Sequence, residues 1–203
     1  MTKIIKINPD NIDTKKINYA CSIISDGGLV VIPTETVYGI ACDPKNKKAM
    51  NALQNAKGRD PDKPISRLAS SLEQVKSMCT YWNSGLNALC SKYWPGPLTL
   101  VLNTNEGWVG FRVPNHSVPI SICKKFGGLL ALSSANISGK PDPKTAADAS
   151  VIPSSLIIDS GPSSDQAIPS SVVKIGKNIF DGLREGAVSF ENVKECFDTG
   201  MNI

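Results

Sequence analysis

The chain has 203 residues, 41% of them hydrophobic, enough for one domain with a sizeable core. A formal net charge of +4, from 22 Lys+Arg against 18 Asp+Glu, suits an anionic ligand without selecting one, and Lys45, Lys47 and Lys48 read as an ordinary solvated helix face rather than a nucleic-acid footprint. No apolar run approaches the ~20 residues a membrane-spanning helix needs; six scattered cysteines without a Cys-x-x-Cys, and His116 as the only histidine, argue against both a disulfide scaffold and a zinc centre.

Met1-Thr2-Lys3-Ile4-Ile5-Lys6 lacks the apolar stretch of a secretory signal, so a cytoplasmic protein with reduced, mostly buried thiols is expected. Asp13 caps a predicted helix from Thr14 to Asp26, with Ile17, Ala20, Cys21 and Ile24 as its apolar stripe and Gly27-Gly28 as its stop. A buried strand from Leu29 to Pro33 feeds the polar segment Thr34-Glu35-Thr36-Val37-Tyr38-Gly39. Open α/β sheets commonly place ligands at such strand ends, and Gly39 permits close backbone approach.

The next helix, Lys45 to Lys57, turns Ala49, Met50, Leu53 and Ala56 inward and runs into the basic loop Lys57-Gly58-Arg59-Asp60-Pro61-Asp62-Lys63-Pro64. Arg59 can grip a phosphate through two parallel hydrogen bonds, while Lys57 and Lys63 offer point charges. A strand from Ile65 to Ala69 and short helices over Leu72 to Met78 and Leu86 to Tyr93 lead to Trp94-Pro95-Gly96-Pro97, a rigid turn. Strands follow over Leu98 to Leu102 and Trp108 to Val113, then a helix over Ile120 to Phe126 and a strand over Leu129 to Leu132.

That last strand runs into a second polar loop, Ser133-Ser134-Ala135-Asn136-Ile137-Ser138-Gly139-Lys140-Pro141. After a short helix near Thr145 to Ala149 come strands Leu156 to Asp159, Val172 to Ile175 and Asn178 to Phe180, too closely spaced for helical crossovers and so expected to pair antiparallel. The sheet should be mixed. The Ser-, Pro- and Gly-rich stretch from Asp159 to Ser171 reads as a surface connection or a lid.

The chemistry narrows by exclusion. Gly139-Lys140 is followed by Pro141 and has Ser134 where a Walker loop needs glycine; no Gly-x-Gly-x-x-Gly or Gly-x-Ser-x-Gly occurs. The remainder is a set of hydroxyls, amides and cations at strand ends, able to bind and orient. Such a set suits transfer at phosphorus, where positioning and charge neutralisation do most of the catalysis.

Five segments in register, Pro33 to Gly39, Lys57-x-Arg59 with Lys63-Pro64, Trp94-Pro95-Gly96-Pro97-Leu98-Thr99, Arg112-Val113-Pro114-x-His116 and Ser134-Ala135-Asn136-x-Ser138-Gly139, resemble the signatures of the YrdC-type threonylcarbamoyl-AMP synthases. Ser170-Ser171-Val172-Val173 and Leu183 to Ala187 extend the likeness over nearly the whole chain. The resemblance implies an α/β fold: one domain, residues 1 to 203, with a twisted open sheet of parallel and antiparallel strands, flanking helices and a basic concave cavity.

It further implies that L-threonine, bicarbonate and ATP, with Mg²⁺ held through the ATP phosphates and no metal site of the protein's own, give threonylcarbamoyl-AMP and pyrophosphate. A downstream tRNA threonylcarbamoyl transferase complex would use the product on N6 of the adenosine beside the anticodon, and weak tRNA or RNA binding is a further expectation. Residue by residue, Thr36, Leu68, Arg112, the backbone at Leu132, and Ser170 match threonine-binding positions. Arg59, Lys63, Trp108, Ser134, Asn136, Asp142 and Arg184 match the ATP side, and Lys57, Arg59 and Lys63 would neutralise the departing pyrophosphate. Three positions depart from the pattern: Leu68 stands where many relatives have a polar residue, Trp108 where a small hydroxylated residue is common, and Ser117 where proline is frequent. Two other readings are a non-enzymatic RNA-binding module, disfavoured by an aromatic content of only 6%, and the carbamoyl-transfer role of YrdC-like domains in hydrogenase maturation proteins, whose zinc motifs are missing here.

Overall fold

The computed structural model describes residues 2–58, 64–164 and 166–202. In chain order its elements are β1 (Lys3–Lys6), α1 (Thr14–Ser25), β2 (Val30–Ile32), β3 (Gly39–Cys42), α2 (Lys47–Lys57), β4 (Ser66–Leu68), α3 (Leu72–Lys76), α4 (Ser84–Tyr93), β5 (Leu98–Thr104), β6 (Gly107–Arg112), α5 (Ser117–Phe126), β7 (Leu130–Ser134), α6 (Ala146–Ala149), β8 (Leu156–Asp159), β9 (Ser171–Gly176), β10 (Ile179–Arg184) and α7 (Phe190–Met201). The strands form one sheet in the order β1-β8-β2-β3-β7-β4-β6-β5-β9-β10. β8 runs parallel to β1 and β2, β4 to β6, and β5 to β9; the remaining pairs are antiparallel. The mixed α/β sheet expected from the sequence is thus present.

Local chemistry accounts for the helix boundaries. Asp13 accepts from the backbone N–H of Lys15 and Lys16 to start α1, and Asn46 does the same for Lys48 and Ala49 at α2. α2 stops at Gly58, whose left-handed φ of 55° suits glycine. Thr145 and Asp148 form a reciprocal capping box on α6.

Three cores explain where a cavity can exist. On one face, α1 and α5 cover the β1, β8, β2, β3 and β7 half of the sheet through Ile17, Ile24, Val30, Ile32, Ile122 and Leu130. On the other face α2 and α6 pack on Val31, Ile40 and Ala131, and α4 and α7 pack on Leu100, Phe111 and Val173. Each fully buried Leu, Ile or Val side chain stabilises the fold by roughly 1.5–3 kcal/mol. Alternation along β5 and β6 sends Leu100 and Phe111 to the α4/α7 face, and leaves Thr99, Val101, Gly110 and Arg112 on the opposite one, where they line a cavity.

The structure corrects the expectation that β8 pairs antiparallel with the next strand. β8 lies between β1 and β2, while only β9 and β10 form the antiparallel pair. The connection from Asp159 to Ser171 carries the chain across the sheet without a helix among its described residues, since extended chain spans up to about 3.3–3.6 Å per residue. Strands β1 and β3 and helix α7 are additional to the predicted elements. The six cysteines are free thiols, and burial pushes Cys42, Cys90 and Cys123 up to about 12. Among the described residues, no helix is long and apolar enough to cross a membrane.

Candidate active site

A cavity of about 300 Å³ opens on the uncovered half of the sheet. Its walls come from the β2–β3 segment (Thr34, Thr36 and Gly39), the strand residues Leu68, Thr99 and Arg112, the end of β7 (Leu132 and Ser134), and Ser170 and Arg184 from the β8–β9 loop and β10. Of the residues matched to threonine, Thr36, Leu68, Arg112, Leu132 and Ser170 all line it; of those matched to ATP, so do Ser134 and Arg184.

Arg112 is the most constrained group. Its Nε donates to the Gly96 carbonyl at 3.0 Å and its Nη1 to Thr36 Oγ1 at 2.9 Å. Nη2 forms an ion pair with Glu35 Oε1 at 2.7 Å, but without hydrogen-bond alignment, so this buried nitrogen keeps donor capacity; Glu35 Oε2 is likewise buried, with no hydrogen-bond partner among the described residues. The side chains are only 7% and 19% exposed. Glu35 is itself fixed, its Oε1 accepting from the backbone N–H of Asn115 at 2.9 Å. A guanidinium held on three sides with donor capacity in a cavity wall fits a carboxylate. The cis Trp94–Pro95 turn presents the Gly96 carbonyl, and Trp94 Nε1 donates to the Leu98 carbonyl at 2.7 Å.

The opposite wall is equally tied. Arg184 Nη2 donates to the Ser170 carbonyl at 2.7 Å and to Ser170 Oγ at 3.2 Å, and Ser170 Oγ stands 2.9 Å from Thr99 Oγ1. Ser171 Oγ accepts from the N–H of Gly186 and Val188, both at 2.9 Å, docking the segment after β10 beside the cavity. Two glycines make room. A Cβ on Gly39 would come within 2.7 Å of Leu132 Cδ1, and one on Gly186 within 2.2 Å of the Pro169 carbonyl.

Lys57 takes a different place from that expected. It is 2% exposed, and its ammonium donates to the carbonyls of Ser134 and Asn136, the latter at 2.8 Å, and to Asn136 Oδ1 at 3.2 Å. Asn136 Oδ1 also accepts from Ser134 Oγ at 2.6 Å, while its amide donates to the Lys140 carbonyl at 2.6 Å. Lys57 therefore braces the loop after β7 instead of lining the cavity, because unpaired carbonyls at the end of a buried strand offer a long cation better partners than solvent. Asn136 sits with it in that brace. Trp108 lies outside the lining, with Lys174 Nζ 4.3 Å above its ring, and Asp142 is exposed on the following loop. Arg59 and Lys63 lie outside the described residues.

The stretch from Asp159 to Ser171 is anchored at its start. The buried Tyr38 hydroxyl donates to the Gly161 carbonyl at 2.6 Å, and Gly161 N–H donates to Asp159 Oδ1 at 2.9 Å. Burial raises the phenol's pKa, keeping it a neutral donor. His116, the only histidine of the sequence, caps α5: its Nδ1 accepts from Val118 N–H at 3.2 Å. Burial lowers its pKa, against the opposing charge of Glu35, favouring the neutral ring that this cap needs.

A second cavity of about 660 Å³ lies beyond β4, bounded by Arg67, Glu106, Gln74 and Phe126. It is larger but less built: among the described residues Arg67 has one acidic partner, Glu106 at 2.7 Å, which is 56% exposed. Among the described residues no group of three or more His, Cys, Asp or Glu is placed to hold a metal ion.

Comparison with known proteins gives this arrangement a family. A Mycobacterium tuberculosis (strain CDC 1551 / Oshkosh) relative is 37% identical over 189 residues, covering 87% of this chain and 86% of its own. The threonylcarbamoyl-AMP synthase of Pyrococcus abyssi is 35% identical over 156 residues, 72% of this chain and 46% of that protein. The crystal structure of P. abyssi Sua5 complexed with L-threonine superposes with a TM-score of 0.87 at 31% identity, over 96% of this chain and 61% of that one. The chain thus spans less than two thirds of either P. abyssi protein. The Sua5/YciO/YrdC family model, described as "Telomere recombination", matches residues 22–186. With the sheet, the cavity and this match in agreement, the chain belongs to the Sua5/YciO/YrdC family.

Proposed function

We propose that the protein is a threonylcarbamoyl-AMP synthase, which condenses L-threonine, bicarbonate and Mg·ATP into threonylcarbamoyl-AMP and pyrophosphate. The observation that carries this reading is Arg112, a buried guanidinium with unused donor capacity, set beside hydroxyls in a small polar cavity. Related proteins carrying that name, and a related structure holding L-threonine, support it.

In this reading Arg112 takes the amino acid's carboxylate, with Thr36, Leu68, Leu132 and Ser170 around the rest of it. The amine adds to carbon dioxide derived from bicarbonate and loses a proton, forming a carbamate. One carbamate oxygen attacks the α-phosphorus; the bond from that phosphorus to the bridging oxygen breaks, and pyrophosphate leaves with the electron pair. No covalent bond to the protein is needed. Ser134, Asn136 and Arg184 are assigned to the nucleotide, Arg59 and Lys63 to its phosphates, and Mg²⁺ travels with ATP as part of the substrate. Trp108 and Asp142 are assigned to the adenosine end. Carbamates decompose readily in water, so a walled cavity protects the intermediate.

The product would pass, in the cytoplasm, to a transferase that modifies N6 of a tRNA adenosine. The experiment is pyrophosphate release from ATP, Mg²⁺ and bicarbonate with each amino acid in turn. Release that requires L-threonine is expected; release independent of the amino acid, or none from folded protein, overturns the reading.

A further inference from the structure

A hydroxyl has one proton and two lone pairs, so one whose proton is committed can only accept, and one whose lone pairs are filled can only donate. Of the hydroxyls that line the cavity, Thr36 and Ser170 are the two matched to threonine, and each has a buried threonine beside it, Thr34 and Thr99. Both threonines also lie along the wall, yet neither is among the residues matched to a ligand.

Thr34 Oγ1 donates its proton to the Val37 carbonyl at 2.7 Å. It can then only accept, and it accepts from Thr36 N–H at 3.2 Å. The 2.9 Å contact between the two threonine hydroxyls must therefore carry the Thr36 proton toward Thr34. Arg112 Nη1 fills one lone pair of Thr36 Oγ1. Thr36 then has one lone pair left for a ligand, and it is an acceptor.

Thr99 works in the opposite sense. Its buried hydroxyl lies 2.9 Å from Ser170 Oγ, its only hydrogen-bond partner among the described residues. A buried O–H without an acceptor is costly, so Thr99 is the donor. Arg184 Nη2 donates to the same oxygen at 3.2 Å. With both lone pairs filled, Ser170 keeps its proton for the cavity, and it is a donor.

We infer that Thr34 and Thr99 are positioning residues that give the cavity a fixed polarity, acceptor at Thr36 and donor at Ser170. The inference deepens the proposed function and rests on it: the amino acid's N–H meets Thr36, and the oxygen of its side-chain hydroxyl meets Ser170. An acceptor at Thr36 stays matched through the reaction, because the carbamate nitrogen retains one N–H. A donor at Ser170 uses the feature that separates threonine from its deoxy analogue, L-2-aminobutyrate.

The test is calorimetric titration of the full chain with L-threonine and with L-2-aminobutyrate. Wild type should favour threonine by about tenfold, the worth of one well-formed hydrogen bond. Thr99→Val should cut that ratio at least about threefold while leaving 2-aminobutyrate affinity unchanged, and Thr99→Ser should restore the ratio. General damage would weaken both ligands alike, and Thr99→Ala serves the same comparison where valine disturbs the strand. Thr34→Val frees the Thr36 proton to face the amine, so it should weaken both ligands by about the same factor, with recovery in Thr34→Ser. An undiminished ratio in Thr99→Val and Thr99→Ala overturns the polarity while leaving the threonine reading intact. Absence of binding of either amino acid to folded wild type overturns both.

Discussion

Arg67 and Arg112 sit on neighbouring strands, and their register places Leu68 opposite Arg112 and Arg67 opposite Phe111. One residue of offset sends the two guanidinium groups to opposite faces of the sheet, each into its own cavity. Arg112 is held by a carboxylate, a carbonyl and a hydroxyl and is nearly buried; Arg67 meets one carboxylate that is itself mostly in water. The larger cavity belongs to the looser arginine. A site is therefore made less by volume than by the number of independent groups that fix a charge before the ligand arrives, since a charge already oriented loses little freedom on binding.

The sharpest way to break this contrast is Arg112→Ala. It removes the carboxylate's charged partner and leaves the largely buried Glu35 with the Asn115 N–H alone, so we expect a loss of threonine affinity of at least about 100-fold and a destabilisation of about 3–5 kcal/mol. Adding Glu35→Gln should return part of the stability in urea unfolding but none of the binding. Equal stability in Arg112→Ala and wild type would refute the compensation assigned to the buried pair.

Lys57→Met tests the second buried cation. Removing a donor shared by the Ser134 and Asn136 carbonyls should cost about 2–3 kcal/mol and lower the melting temperature. A cation acting only on phosphate would instead leave thermal stability unchanged and weaken ATP binding alone. The sequence could not separate these outcomes, because a lysine at a helix end advertises charge and not direction.

Much else was legible. The 3.6-residue stripes of α1 and α2, the Asp13 cap, and the apolar runs of β2, β5 and β7 stand close to where the sequence placed them, whereas Asn46, inside the helix expected from Lys45, proves to be the cap of α2. Helix α7 carried a readable signal in Phe190, Val193, Phe197 and Gly200, spaced to face α4. β1 did not, since an edge strand with exposed lysines reads as polar chain. β3 is four residues opening on a glycine, whose role is to clear space for Leu132.

At the site, the motifs brought Thr36, Leu68, Arg112, Leu132, Ser134, Ser170 and Arg184 to one cavity. Glu35 and Thr99 went unassigned because their value lies in contacts across the fold, to Asn115 80 positions away and to Ser170 71 positions away, and Thr34 because its bonds to Thr36 and Val37 depend on the local turn and not on residue type alone.

A smaller effect is expected from His116. Its folded pKa lies below the usual 6.5, so the folded state binds fewer protons than the unfolded chain. The stability it contributes is present above pH about 6.5 and lost as pH falls through its lowered folded value. His116→Asn keeps a cap without a titrating group. Its melting temperature should therefore fall less than wild type between pH 7.5 and pH 5, to be read by circular dichroism; parallel profiles would contradict the neutral-cap assignment.

The smallest effect should come from Arg67→Ala. The pair with Glu106 is exposed on one side, so stability should change by no more than about 0.5–1 kcal/mol and threonine-dependent pyrophosphate release should stay within about twofold of wild type. A large loss of activity would put the second cavity on the reaction path and erase the contrast between the two arginines.

The most direct measurement is titration of L-threonine into folded wild type and Arg112→Ala, by calorimetry with Mg·ATP present. Saturable one-site binding is predicted in wild type and none in the variant over the same concentration range. Wild type that takes up no threonine, or a folded variant that binds it as wild type does, would contradict a site built around a pre-oriented buried guanidinium.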